Sequence, residues 1–411
     1  MIKRIRNTVC LVLCTFLLFS CIKEEGNPSP TRLLLVYMGT DNNLVGYEQE
    51  KLEGLHQGWG GKETDRILAY VDSQKGGGTL FELSDQRGIR TLSIYGNENS
   101  ASPEVLSRVV NDVLSTYVAD SYHLLVFSHA SGWLPEGTLY NPLVIQNEVK
   151  DLIQEPSTVS QQILRSALND GDNDFETSTS RSLITDGTHE MELQDFARVL
   201  PDGVFETITF EACFMAGIEV AYELRNKAKY ILASSAEIIH PGFAPVYAVS
   251  TQKLLSGNLQ AFGQEVFNHT LTYAETDVQR SATYSVIRTE GLEALAGFVR
   301  NNCDLSILVN IADIQHFDRL NGYRLFFDFE DYYCRLLGNE EKEEKEKEFT
   351  RLINDCVIWK AATTEFMTQL EGYNGFRIDV HSGLTTYIRQ PQFAGLNTAY
   401  DCLQWAKDSK R

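Results

Sequence analysis

Two short stretches of this 411-residue chain carry side chains able to do covalent chemistry. One is Phe127-Ser128-His129-Ala130-Ser131-Gly132-Trp133, an imidazole in a run of small residues after an apolar segment. The other is Thr209-Phe210-Glu211-Ala212-Cys213-Phe214-Met215-Ala216, a thiol in a similar setting. A thiolate attacks a carbonyl carbon, and a neighbouring imidazole protonates the leaving amine. Either residue is equally at home in a core, so residue types alone leave a catalytic and a structural role both open. Neither a GxSxG nor an HExxH stretch is present, which leaves a serine or metal hydrolase little support.

The elements around these residues decide whether they meet. Arg32 to Met38 is a continuous apolar run bounded by turn residues, which predicts a strand buried on both faces. Arg66 to Val71, Tyr122 to Ser128, Phe205 to Phe210 and Tyr230 to Ser234 read the same way, with shorter strands at Leu80 to Leu83 and Thr91 to Tyr95. Ser102-Pro103-Glu104 opens a helix, with Ser as cap and Pro in the first turn. The apolar positions Val105, Val109, Val113 and Tyr117 then mark one face. A second helix is expected from Cys213 to Arg225, and its N-terminus would favour a thiolate at Cys213. Strands alternating with helices predict a parallel α/β sheet with crossovers. In such sheets ligands meet the residues just beyond the carboxyl ends of strands, which is where His129 and Cys213 fall.

The chain resembles the clostripain family of cysteine peptidases, which share the caspase–gingipain fold. Val36-Tyr37-Met38-Gly39-Thr40-Asp41-Asn42-Asn43-Leu44 resembles that family's first strand and turn, and Ser128-His129-Ala130-Ser131-Gly132-Trp133 its histidine motif. Glu211-Ala212-Cys213-Phe214-Met215-Ala216 with Glu219 to Leu224 resembles its nucleophile motif, and Ala233-Ser234-Ser235-Ala236-Glu237 the strand end that follows. The resemblance implies a mostly parallel caspase-like sheet flanked by helices, with an additional C-terminal α+β region. It implies His129 as general acid/base and Cys213 as nucleophile, with no obligatory third member and no cofactor for the chemistry. It also implies an oxyanion hole from the backbone N–H groups of Ala130 and Cys213.

Two residues depart from the family pattern. Ala130 stands where Gly is usual; it keeps the N–H but disfavours positive φ. Glu211 stands where the family places the Asp that selects a basic side chain before the scissile bond. Glu keeps the charge and makes the pocket shallower, so cleavage after Arg or Lys is expected; the other reading of Glu211 is a residue paired internally with an Arg or Lys. The same resemblance makes 134–189 an activation segment, with Lys150, Arg165 and Arg181 as candidates for self-cleavage. Asp170, Asp172 and Asp174 alternate as in calcium loops, although the spacing is not that of an EF-hand; calcium is a candidate ligand there. The Glu340 to Glu348 run of Glu and Lys reads as a solvated helix or loop.

Lys3, Arg4 and Arg6 precede the apolar run Val9 to Phe19, and Leu18-Phe19-Ser20-Cys21 resembles the lipobox of bacterial lipoproteins. Cys21 is therefore the expected lipidation site, followed by a polar tether with Pro28 and Pro30. The expected organisation is a signal peptide over 1–20, a tether over 21–31, a catalytic core over 32–250 and a C-terminal region over 251–411 packed on it. Export would make the protein a membrane-anchored lipoprotein on the periplasmic or cell-surface side, with a protein or peptide as substrate. Lys plus Arg number 36 against 56 Asp plus Glu, a net charge of −20, which excludes the basic surface that nucleic acid requires. The competing function is an inactive relative that keeps the fold as a surface binding protein, and Ala130 is the residue that keeps that reading open.

Overall fold

Leu33, Leu35 and Tyr37 pack into one apolar cluster, and Leu34, Val36 and Met38 into another. This alternation makes the first strand, β1 (Arg32–Gly39), the middle of a sheet with a core on each face. The computed structural model describes residues 32–61, 64–73, 76–84, 88–138, 183–276, 278–318, 323–367 and 375–410. Further strands are β2 (Asp65–Asp72), β3 (Gly78–Ser84), β4 (Gly88–Gly96) and β5 (Ser121–Phe127). The short hairpin β6 (Thr185–Asp186) and β7 (His189–Glu190) follows, then β8 (Phe205–Glu211), β9 (Ala228–Ala233) and β10 (Thr283–Arg288). After these come β11 (Phe327–Asp328) and β12 (Val357–Ala362).

Nine of these strands form one sheet in the order β12-β10-β9-β8-β5-β1-β2-β3-β4. The five central strands, from β9 to β2, are parallel, and an antiparallel pair extends each edge. The fold is thus α/β with a largely parallel central sheet flanked by helices. Residues beyond 250 supply β10 and β12 of this same sheet.

The helices that frame the site are α1 (Glu48–Trp59), α2 (Pro103–Thr116), α3 (Leu193–Val199), α4 (Ile218–Glu223) and α5 (Ala244–Leu255). Ser102 caps α2 as expected, its hydroxyl accepting the Glu104 N–H at 3.2 Å. Helix α1 lies against α5 at close range: a Cβ at Gly58 would stand 2.0 Å from the Tyr247 carbonyl oxygen, and one at Gly54 would stand 3.1 Å from the Tyr247 Cβ. Two glycines four apart thus let the backbones approach where larger side chains would hold them apart.

The helix expected from Cys213 is not formed there. It begins at Ile218, because Phe214 adopts a left-handed conformation (φ 59°), residues 213–216 form turns and Gly217 is extended ahead of the helix. The Phe214 N–H donates to the Ala236 carbonyl and the Ala216 N–H to the Ser234 carbonyl, both at 2.9 Å. These bonds to the end of β9 replace the helical ones, so no helix N-terminus sits at Cys213. The acidic run, by contrast, does form a helix, over Lys342–Cys356, and is mostly exposed.

Candidate active site

Strands β5 and β8 are parallel neighbours, and their register pairs Phe127 with Glu211. His129 and Cys213 each lie two residues further on. They leave adjacent strands at the same level, about 5 Å apart in the pairing direction. Both are half-buried, and both line one cavity of about 300 Å³ at the carboxyl end of the parallel strands. Ala130 and Glu211 line it too, so all four residues singled out in the two motifs come together.

The histidine is held from two sides. The Ser128 hydroxyl donates to the Gly39 carbonyl at 2.9 Å and accepts the Thr185 N–H at 3.1 Å, which pins the end of β5. The His129 ring pairs through Nε2 with the side-chain oxygen of Asn43. An oxygen accepts, so Nε2 carries the proton and Nδ1 the lone pair in the neutral ring. Asn43 is thus a positioning residue that the sequence disclosed only as part of a turn. Its loop is itself braced: the Asn42 amide donates to the Thr185 carbonyl at 2.8 Å, and Thr40 donates twice to the Asp72 carbonyl. Beneath it, buried Asp72 faces Asp186, which accepts the Ser100 N–H at 2.5 Å. Burial first, and then the neighbouring Asp186, raise the Asp72 carboxyl well above the usual range.

The thiol side is fixed by the turn already described. Cys213 Sγ accepts the Ile238 N–H at 3.3 Å. Gly132, at φ 66°, passes so close that a Cβ there would lie 2.7 Å from the Phe214 carbonyl oxygen. The histidine loop and the thiol turn therefore pack directly on each other. The positive φ of the histidine loop falls at Gly132 and not at Ala130. Among the described residues only Phe214 and Glu341 are non-glycine residues with positive φ. The Ala130 N–H has no hydrogen-bond partner among the described residues.

Glu211 is found in the second of its two expected states, paired internally. It lines the cavity, yet its carboxylate is already engaged: Lys51 Nζ donates to it at 2.5 Å, the Phe243 N–H at 2.6 Å and the Tyr247 hydroxyl at 2.6 Å. Burial, and then the adjacent Glu211, hold the Tyr247 hydroxyl far above its ordinary range, so it stays a donor. A carboxylate selecting Arg or Lys needs to be open to the incoming side chain, and this one is closed by a cation of the protein itself. His240 also lines the cavity, beside the Tyr47 ring.

The remaining expectations fall elsewhere. Cys21, Lys150, Arg165, Arg181, Asp170, Asp172 and Asp174 lie outside the described residues. Among the described residues no three His, Cys, Asp or Glu side chains converge to hold a metal ion, and no helix is long and apolar enough to cross a membrane. Cys213, Cys303, Cys334, Cys356 and Cys402 form no disulfide.

The clostripain family model matches residues 36–177 and 170–369 of this chain. Among solved structures, an inactive zymogen C11 protease from Parabacteroides distasonis is similar at 26% identity with a TM-score of 0.74, over 93% of this chain and 99% of that one. A secreted C11 cysteine protease from Bacteroides thetaiotaomicron shares the fold at 21% identity and TM-score 0.71, with the same coverage of both chains. A secreted C11 cysteine protease from that organism in complex with an irreversible peptide inhibitor matches at 25% identity and TM-score 0.67, over 92% of this chain and 98% of the other. No individually curated protein matches.

Proposed function

Because the chain belongs to the clostripain family of cysteine peptidases, we propose that it is an exported, lipid-anchored endopeptidase working through a Cys213–His129 dyad. The observation that carries the dyad is the β5–β8 register, which sends both side chains from adjacent strand ends into one cavity. As the Cys213 sulfur attacks the scissile carbonyl carbon, its proton passes to His129 and electrons move onto the carbonyl oxygen. The N–H groups of Ala130 and Cys213 receive that oxyanion. The C–N bond breaks as His129 protonates the departing amine, leaving a thioester. Water, deprotonated by His129, then releases the acid and the free thiol. Asn43 accepts from Nε2–H throughout, so that Nδ1 takes and gives the proton. This chemistry requires no cofactor.

The anchor on Cys21 rests on the charged leader, the apolar run and the small residue before the cysteine. Cleavage after Arg or Lys, the preference first expected of Glu211, is not part of this proposal, since Lys51 already closes that carboxylate.

The test is alkylation of the purified protein by iodoacetamide across pH, with mass spectrometry at each thiol. Cys213 is expected to react faster than exposed Cys402, and the advantage is expected to vanish in His129→Ala. Equal rates at the two thiols, together with no cleavage of a mixed peptide library, would instead support the binding protein.

A further inference from the structure

Lysine is a surface residue by habit, yet Lys51 sits on the buried face of α1 with Leu52, Leu55 and Trp59. Its side chain is 4% exposed and that of Glu211 is 2% exposed. The ammonium group also stands 4.1 Å from the centre of the Phe127 ring, a cation–π contact beside the pair. Helix α1 has little freedom to withdraw it, because Gly54 and Gly58 seat that helix tightly on Tyr247 of α5. Tyr247 is in turn a donor to Glu211. The lysine, the glutamate and the tyrosine form one buried unit at the cavity.

We propose that Lys51 fills from within the place that a basic substrate side chain would take, so that the peptidase accepts an uncharged residue before the scissile bond and excludes Arg and Lys. This rests on the peptidase reading above and deepens it. An incoming ammonium or guanidinium would meet Lys51 in a low-dielectric site, with the carboxylate it needs already neutralised. An incoming carboxylate gains nothing from Lys51, whose charge Glu211 balances, and it meets Glu50 and Glu237 on the same cavity. An uncharged side chain meets Leu44, Phe127, Ile238 and Pro241 and disturbs no pair.

The experiment compares purified wild type with Lys51→Met on fluorogenic peptides that differ only in the residue before the cut: Arg, Lys, Met, Gln, Leu or Glu. Wild type is expected to prefer Met, Gln or Leu. Lys51→Met frees Glu211 and is expected to raise kcat/KM for Arg relative to Met by roughly tenfold or more. The double variant Lys51→Met/Glu211→Gln is expected to lose that gain, which guards against an effect of altered folding. A wild type that cuts best after Arg or Lys, held for example by Glu237, overturns the proposal even if neither variant folds.

A binding arm separates this idea from the dyad. In the Cys213→Ala protein, peptides ending in Met are expected to raise the melting temperature and those ending in Arg are not, with the order reversed when Lys51→Met is added. Arg-ended peptides stabilising the Cys213→Ala protein as well as Met-ended ones refutes the Lys51 assignment. Failure of the alkylation test above, with this binding order intact, refutes the dyad alone.

Discussion

Glu219 offers a stability test with a defined sign. It is buried on α4, where one carboxyl oxygen accepts the Thr386 hydroxyl and the Tyr387 N–H, both at 2.9 Å. The other oxygen has no partner among the described residues. Burial pushes its pKa from 4.5 up to about 7, against the smaller opposing pull of those donors. The folded chain thus keeps a proton that the unfolded chain releases near 4.5. Stability from this group is full below that value, falls by about 1.4 kcal/mol per pH unit as pH rises, and levels off near 7. Between pH 5.5 and 8 the loss is about 2 kcal/mol. Glu219→Gln has no proton to lose and keeps an oxygen for Thr386 and Tyr387. Its NH2 group lies beside Gly217, near the Thr385 hydroxyl, which also lacks a partner. Urea unfolding of wild type and variant at both pH values isolates the effect, because buried Asp318 and Asp328, raised to about 7 and about 6, contribute equally to both proteins. The variant is expected to gain about 2 kcal/mol on wild type as pH goes from 5.5 to 8. A gap that does not change with pH refutes the reasoning.

Asn43→Ala removes the oxygen that fixes His129 and is expected to lower kcat roughly ten- to a hundredfold with little change in KM, as measured by steady-state peptide hydrolysis. Gly132→Ala forces a Cβ to 2.7 Å from the Phe214 carbonyl oxygen at positive φ. It is expected to cost about 1–2 kcal/mol or more in denaturant unfolding, and to slow turnover as the two loops part. Self-cleavage after Lys150, Arg165 or Arg181 and the role given to Lys51 make opposite forecasts. On incubation, followed by gel and mass spectrometry, wild type is expected to stay uncut at these residues, whereas Lys51→Met is cut and Lys51→Met/Cys213→Ala is not.

Most central strands were legible because burial on both faces makes them apolar runs, Leu33 to Met38 most plainly, whereas β8 is broken by Glu206, Thr207 and Thr209. That His129 and Cys213 share a cavity was legible because both follow the carboxyl ends of parallel strands, while the roles proposed for them came from the family resemblance. What failed was the helix at Cys213. Its apolar spacing is helical, but Phe214 and Ala216 find better partners at the end of β9, a tertiary choice that no local pattern records. Lys51 was not singled out at all. A lysine reads as solvent-facing, and only its place on the stripe with Leu55 and Trp59 hints otherwise. Asn43 was visible as a turn residue, but nothing in the sequence joins it to a histidine that lies at the end of a different strand.

The case for an inactive relative rested on Ala130, through the requirement for positive φ that glycine would meet. In the folded chain that requirement falls two residues later, at Gly132, and Ala130 has an ordinary backbone with an N–H that no described residue claims. The exchange of Gly for Ala therefore removes none of the parts that the proposed turnover needs. The change with chemical consequence in the proposal above is at Glu211, whose carboxylate is paired with Lys51. That change bears on which bond is chosen. It does not touch the proposed attack by Cys213 or the proposed proton transfer by His129, which rest on the β5–β8 register.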